Sequence, residues 1–187
     1  NVAILNQSSI TIIGTRQPTK WGEKSAIRFA EISVEQGFCV VSGLALGCDI
    51  AAHKGALRAN GDTVAVLAHG LDSVHPKQHS RVATEILDNG GCLLSEYPPG
   101  TAPERGNFVE RDRLQSAAGS GVIVVETTID GGSMHTVRFA MKQNRQVSCI
   151  DHPVRFHDLK STKGNRKLLD DGVYAIKNGN DLEQFLK

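Results

Sequence analysis

The sequence predicts an α/β fold, a Rossmann-like, parallel-dominated sheet with helices on both faces. Two observations lead there. Short runs of Val, Ile and Leu alternate with segments of helical spacing. Such strand–helix alternation with continuously apolar strands is what a parallel sheet buried on both faces requires. Each run also stops at glycine, serine or an acidic residue, as a strand does where it turns into the next helix.

Taken in order, the first run is Thr11-Ile12-Ile13, ending at Gly14, followed by a predicted helix over Lys20–Gln36. Phe38 to Val41 ends at Ser42-Gly43 and leads to a helix over Asp49–Asn60, where Ile50, Ala51, His53, Lys54 and Leu57 keep a helical spacing. Thr63 to Leu67 ends near Gly70 and is followed by a helix over Gln78–Asn89. Cys92-Leu93-Leu94 ends at Ser95-Glu96. The Pro- and Gly-rich segment Glu96–Asn107 then reads as a long functional loop before a helix over Phe108–Ala118. Val122 to Val125 ends at Glu126, and a helix follows over Ser133–Asn144. Gln146 to Ile150 closes the strong part of the pattern at Asp151. Beyond it a short helix near Asn165–Asp170, a strand near Val173–Ile176 and a last helix from Asp181 are expected. Gly37, Gly61 and Gly90 are placed just past helix ends, where a left-handed residue is wanted.

Bulk properties narrow the function classes. The 187 residues are read as a single domain over 1–187, long enough to bury roughly 70% of the unfolded surface. The composition, 40% hydrophobic and 22% charged, is that of an ordinary globular protein. No apolar run approaches the ~20 residues that span a bilayer, and the first residues lack a signal-peptide pattern, so no membrane association is expected. Cys39, Cys48, Cys92 and Cys149 form no C-x-x-C pair. They read as reduced, mostly buried thiols in a cytoplasmic protein, with no zinc site and no disulfide framework. The net charge of +1 means that any site for a polyanion must be a local cluster.

Three strand–helix junctions suit such a cluster. Ligands of open parallel sheets bind at the carboxyl ends of the strands, where backbone N–H groups and the helix dipole favour phosphate. Ser42-Gly43 to Gly47, Asp130-Gly131-Gly132-Ser133 and Gly14-Thr15-Arg16 all fit. Each alone is equally well a plain turn; three at one sheet edge point to a shared site. Neither the dinucleotide G-x-G-x-x-G nor the Walker G-x-x-x-x-G-K-[ST] occurs, so no NAD or ATP cofactor is indicated. Arg105, Arg111 and Arg113 surround Phe108, and Arg16 and Lys20 follow the first strand. Guanidiniums around one aromatic are what a groove for a single nucleic-acid strand uses. The basic run Lys160, Lys163, Arg166 and Lys167 reads first as a solvated face.

Other chemistry-bearing residues have plain readings. Asp49 suits an N-cap or first helical turn, with His53 packed under the sheet edge. Cys48 reads as buried and structural. Glu126 is either a general base or a strand-end carboxylate tied to neighbouring loops. His69, His75, His79, His135, His152 and His157 show no metal-ligand spacing and default to surface or loop positions.

In combination these motifs resemble the DNA-processing protein A family (DprA, also called Smf), from about Ile13 to Gly172. The blocks, in order, are "IGTR" (13–16), "VVSGLALGCDIAAHKGAL" (40–57), "TVAVLAHGLDSVHP" (63–76), "LLSEYPPG" (93–100), "FVERDR" (108–113), "GGSMHTVRFA" (131–140) and "KGNRKLLDDG" (163–172). The resemblance implies a Rossmann-like core that binds single-stranded DNA, dimerises, and helps load a RecA-type recombinase in DNA uptake, natural transformation or recombination, with no established catalysis. It implies Arg16 as the phosphate-binding arginine, Arg105 and Phe108 as grips on backbone and base, and Gly43, Gly131, Gly132 and Ser133 as the backbone cradle. Arg111, Arg113 and Lys163 fall in matching basic blocks. The family's helical N-terminal and winged-helix C-terminal domains are not expected here.

There are departures. The family pattern F-P-x-R-N-R has Asp112 in place of its Asn. His75 replaces a Tyr before Pro76, and Asp151-His152-Pro153 replaces a P-G. The alternative is a nucleotide sensor or nucleotide-processing enzyme of the same superfamily. The glycosidase P-G-G-x-G-T-x-x-E is not matched, because Ser133 to Arg145 carries no acidic residue.

Overall fold

The computed structural model describes residues 1–187. The strands are β1 (Ser9–Ile13), β2 (Cys39–Ser42), β3 (Thr63–Val66), β4 (Cys92–Leu94), β5 (Gly121–Val124), β6 (Gln146–Ile150) and β7 (Tyr174–Ile176). The helices are α1 (Lys20–Glu35), α2 (Cys48–Arg58), α3 (Ser80–Asp88), α4 (Arg105–Ala118), α5 (Ser133–Lys142), α6 (Lys163–Asp170) and α7 (Gly179–Phe185). All strands run parallel in the order β4-β3-β2-β1-β5-β6-β7. The predicted fold class and every predicted strand are present, β4 and β6 with the expected boundaries and the others moved by one or two residues. α4 begins three residues earlier than expected, and a 3₁₀ turn over Val2–Asn6 was not foreseen.

Strand residues alternate between the two faces with period two. Ile10, Ile12, Val40, Ile123 and Ile150 meet α1, α2 and α7 on one face. Ile13, Val122, Val124 and Cys149 meet α5 and α6 on the other. Beside these, Val41, Val64 and Val66 lie under Leu114 and Ala118 of α4 and Ile4 of the 3₁₀ turn. The first face extends through Ala65 and Leu67 to Val82, Ala83 and Ile86 of α3. The apolar runs read continuously because both faces are covered.

Close helix contact on the first face depends on Gly55, where a Cβ would lie 2.3 Å from the Ile27 carbonyl oxygen of α1. Two of the three predicted left-handed glycines are so: Gly37 at φ 82° and Gly90 at φ 85°. At the end of α2 the role falls to Asn60, φ 53°, and Gly61 instead passes against Val34. Asn tolerates this region, so the preceding residue took it.

The strand order reverses between β1 and β5: connections from β1 run outward to β4, then the chain returns to β5 beside β1. The crevice at that switch point opens above the carboxyl ends of β1 and β5, flanked by α4 and α5. No helix is long and apolar enough to cross a membrane.

Candidate functional site

A cavity of about 620 Å³ occupies this crevice. Its walls come from the β1–α1 loop (Gly14, Thr15, Arg16), the β5–α5 loop (Thr127 to Gly132) and the facing sides of α4 and α5. The residues that hold these walls are packed behind them. Asn165, fully buried, accepts a hydrogen bond from the Thr127 N–H (2.8 Å) and donates to the carbonyls of Val124, Val125 and Ile150. It thereby pins the end of β5 and its loop to α6. On the opposite side Gly47, at φ 77°, brings the start of α2 against the Thr15 carbonyl, which accepts from the Cys48 N–H at 3.1 Å.

Seven of the ten expected site residues line the cavity: Arg16, Arg105, Phe108, Arg111, Gly131, Gly132 and Ser133. Arg16 and Arg105 are exposed, and no carboxylate lies within ion-pair distance of either. The Arg16 guanidinium carbon lies 5.3 Å from the centroid of the half-buried Phe108 ring, a cation–π contact. Gly132 caps α5, and the N–H groups of Gly132 and Ser133 take no partner from the chain. At the head of a ten-residue helix these donors and the dipole form an anion seat.

Arg111 has a different role from the one expected. It is 4% exposed, and its Nη1 donates to the carbonyls of Gly43 (3.0 Å) and Val66, while Nε faces Asp112 Oδ1 at 3.3 Å. It bolts α4 onto the ends of β2 and β3. Gly43 is a correction as well. Its N–H donates to Asp49 Oδ2 (3.1 Å) and its carbonyl is taken by Arg111, so it is buried and absent from the cavity wall. The reason is Asp49: the α2 N-cap is Gly47, and the Asp49 carboxylate turns inward to neutralise Arg111. Arg113 points away and pairs with Glu96. Lys163 is exposed at the head of α6, behind the β5–α5 loop and outside the cavity; Arg166 and Lys167 pair with Asp170 and Asp171 as on an ordinary solvated face.

The floor is acidic. Burial raises the Asp49 carboxyl above its ordinary pKa, with Arg111 opposing, and pushes Asp112 up to about 7 despite Arg111 beside it. Asp112 is therefore poised between neutral and charged near pH 7, with the Arg111 guanidinium 3.3 Å away.

Glu126 takes the structural reading. It is fully buried away from the cavity and accepts from the Thr19 N–H (2.9 Å) and hydroxyl (2.6 Å), capping α1. Burial pushes its pKa up, but His152, 3.7 Å away, and the hydrogen bonds from Thr19 outweigh that and leave it lowered. Cys48 is buried and its pKa lies well above the ordinary value because of that burial, so it is no nucleophile. His53 is fully buried against Thr63 Oγ1 (2.7 Å) and driven down to about 3 by burial. His69, His79 and His152 are buried too, contrary to the surface default. His79, for example, hydrogen-bonds the Leu44 carbonyl at 2.8 Å.

Thr127, Thr128, Gln115 and Thr136 also line the cavity and carry no motif of their own, and His135 lines it although its spacing marks no site. Their signal was positional: Thr127-Thr128 follow β5 at the same edge as Gly14, and Thr136 lies one turn beyond Ser133.

Comparison with known proteins identifies the family and the fold. A family described as DNA recombination-mediator protein A matches residues 1–187. Protein Smf of Escherichia coli K12 is 39% identical over 150 residues, covering 80% of this chain and 40% of that protein. The structure of DNA processing protein A from Streptococcus pneumoniae superposes with a TM-score of 0.88 at 32% identity, over 98% of this chain and 63% of that one. DNA processing protein A from Helicobacter pylori, solved to show its single-stranded DNA binding mode, superposes at 0.89 with 31% identity, over 100% of this chain and 84% of that one. The chain thus spans less than half the length of the E. coli relative. Shared fold, ordered motifs and a whole-chain match lead to one assignment: this chain belongs to the DNA recombination-mediator protein A family.

Proposed function

We propose that the switch-point cavity holds the backbone of a single DNA strand, and that the chain acts in DNA processing as a strand-binding module. The observation that supports this best is the meeting, in one open cleft, of two unpaired exposed arginines, an aromatic ring and the free N–H groups at the head of α5. Arg16 and Arg105 neutralise phosphates, Gly132 and Ser133 donate to a phosphate oxygen, and Phe108 offers a face to a base. None of these contacts reads a base edge, so binding is weakly dependent on sequence. Protection of the strand, dimerisation, loading of a RecA-type recombinase, and action in the cytoplasm during natural transformation or recombination extend this reading by family membership. The chain is read as a binding protein rather than an enzyme: Glu126, the candidate general base, is committed to the start of α1, and Cys48 is buried.

A second reading, a nucleotide sensor, draws on the cavity volume of about 620 Å³, within the range of small-molecule sites. Binding of oligonucleotides of increasing length at two salt concentrations, with a mononucleotide as competitor, separates the two. Strand binding gives affinity that rises with length and falls steeply with salt. Tight mononucleotide binding with no oligonucleotide affinity favours the sensor.

A further inference from the structure

The β3–α3 loop carries an aromatic neighbour of Phe108 that the cavity itself does not include. His75 is exposed, and its ring centroid lies 6.1 Å from that of Phe108, with the planes inclined at 55°. Two features fix it there. Its ring stands edge-on, at 6.4 Å and 80°, against His69, which is 1% exposed. The loop beneath is fastened to the Pro- and Gly-rich segment after β4: the Gly70 N–H donates to the Thr101 carbonyl (3.0 Å) and the Gly100 N–H to Asp72 Oδ1 (2.8 Å). A ring held on a buried support and a tied loop loses little freedom when a ligand covers it. Lys77, two residues on and exposed, is the cation of this loop.

The combination repeats that of the cavity, where Phe108 sits with Arg16: a ring for a base, a cation for a phosphate. We infer that the strand leaves the cavity over His75, which is a second base-stacking position with Lys77 as its phosphate partner. This rests on the strand-binding reading above and assigns the strand a direction, from the switch point toward the β3 side of the sheet edge. The two ring centres are separated by a distance comparable to one nucleotide step of an extended strand. Their mutual tilt presents two faces to successive bases rather than one slot for a single base.

The test is a length series of single-stranded oligonucleotides carrying 2-aminopurine, titrated with wild type, Phe108→Ala, His75→Ala, His75→Tyr and Lys77→Ala, each checked by thermal melting. The proposal expects His75→Ala to bind the shortest bound oligonucleotide as wild type does, and to lose roughly tenfold for longer ones. His75→Tyr keeps wild-type affinity, Lys77→Ala lowers the salt slope, and 2-aminopurine quenching at the second position disappears in His75→Ala only. If His75→Ala matches wild type at every length while Phe108→Ala is weakened, the extension is wrong and the cavity reading stands. Loss in His75→Ala at the shortest length also overturns it, since the ring would then serve the cavity. If wild type binds no oligonucleotide, or Phe108→Ala binds like wild type, the underlying reading fails and the extension with it.

Discussion

Arg16 and Arg111 carry the same charge beside the same ring and should respond differently to mutation. Arg16 is exposed and its guanidinium makes a cation–π contact and no ion pair, so Arg16→Ala should leave the melting temperature near wild type. Arg111 is buried with two backbone carbonyls on Nη1 and Asp112 beside Nε. Arg111→Ala strands those groups and leaves Asp49 and Asp112 without their counter-charge. We expect a loss of about 3–5 kcal/mol in chemical denaturation. Sequence could not separate the two, because a one-dimensional motif shows charge and spacing but not which guanidinium the packing of α4 turns inward. Asp112 was legible as a departure from the family pattern; its burial beside Arg111 was not. Its pKa is raised by burial to about 7 in the fold, above an unfolded value near 3.8. The folded state therefore holds that proton more tightly. The associated stability is fully present below about pH 4 and is lost as pH rises to about 7, where the folded carboxyl itself ionises and the cavity floor gains negative charge. Anion binding should weaken as pH rises through about 7. Asp112→Asn should remove that dependence and raise affinity at pH 8 roughly 3- to 10-fold, read by oligonucleotide titration across pH.

At the scale of elements, the head of α5 is the part of the site most readable from sequence. Asp130-Gly131-Gly132-Ser133 predicted a helix start with bare backbone, and the structure has it. Gly132→Pro isolates the backbone contribution. The φ of −54° already suits proline, and a Cβ there meets nothing within 4 Å. The variant should fold with a melting temperature close to wild type and lose about 1.5–3 kcal/mol of strand binding, the worth of one hydrogen bond to a charged oxygen. Unchanged binding would remove the α5 donors from the site. The junction after β2 looked equivalent and is not. Asp49 already occupies the Gly43 N–H, so an internal carboxylate has taken the seat that sequence assigned to a ligand. A strand–Gly–helix signal marks where bare backbone N–H groups lie, and at Gly43 the side chain six residues on, Asp49, fills that seat.

For the whole molecule, strand alternation was legible because parallel strands buried on both faces read as unbroken apolar runs. The strand order was not, because register and crossover direction leave no periodic mark. Yet it is the order β4-β3-β2-β1-β5-β6-β7 that places the switch point between β1 and β5 and so brings residues 16, 105, 108 and 132 into one cleft. The near-neutral net charge of +1 has a consequence at this scale. With no general basic surface, salt dependence should report the few cations of the cleft rather than the whole protein. The most direct check of the central claim is therefore the slope of log affinity against log salt for a single-stranded oligonucleotide, compared between wild type and Arg16→Ala. If Arg16 neutralises one phosphate, the slope becomes shallower by about 0.7 and the affinity falls at every salt concentration. An Arg16→Ala protein with wild-type affinity and wild-type slope would contradict it.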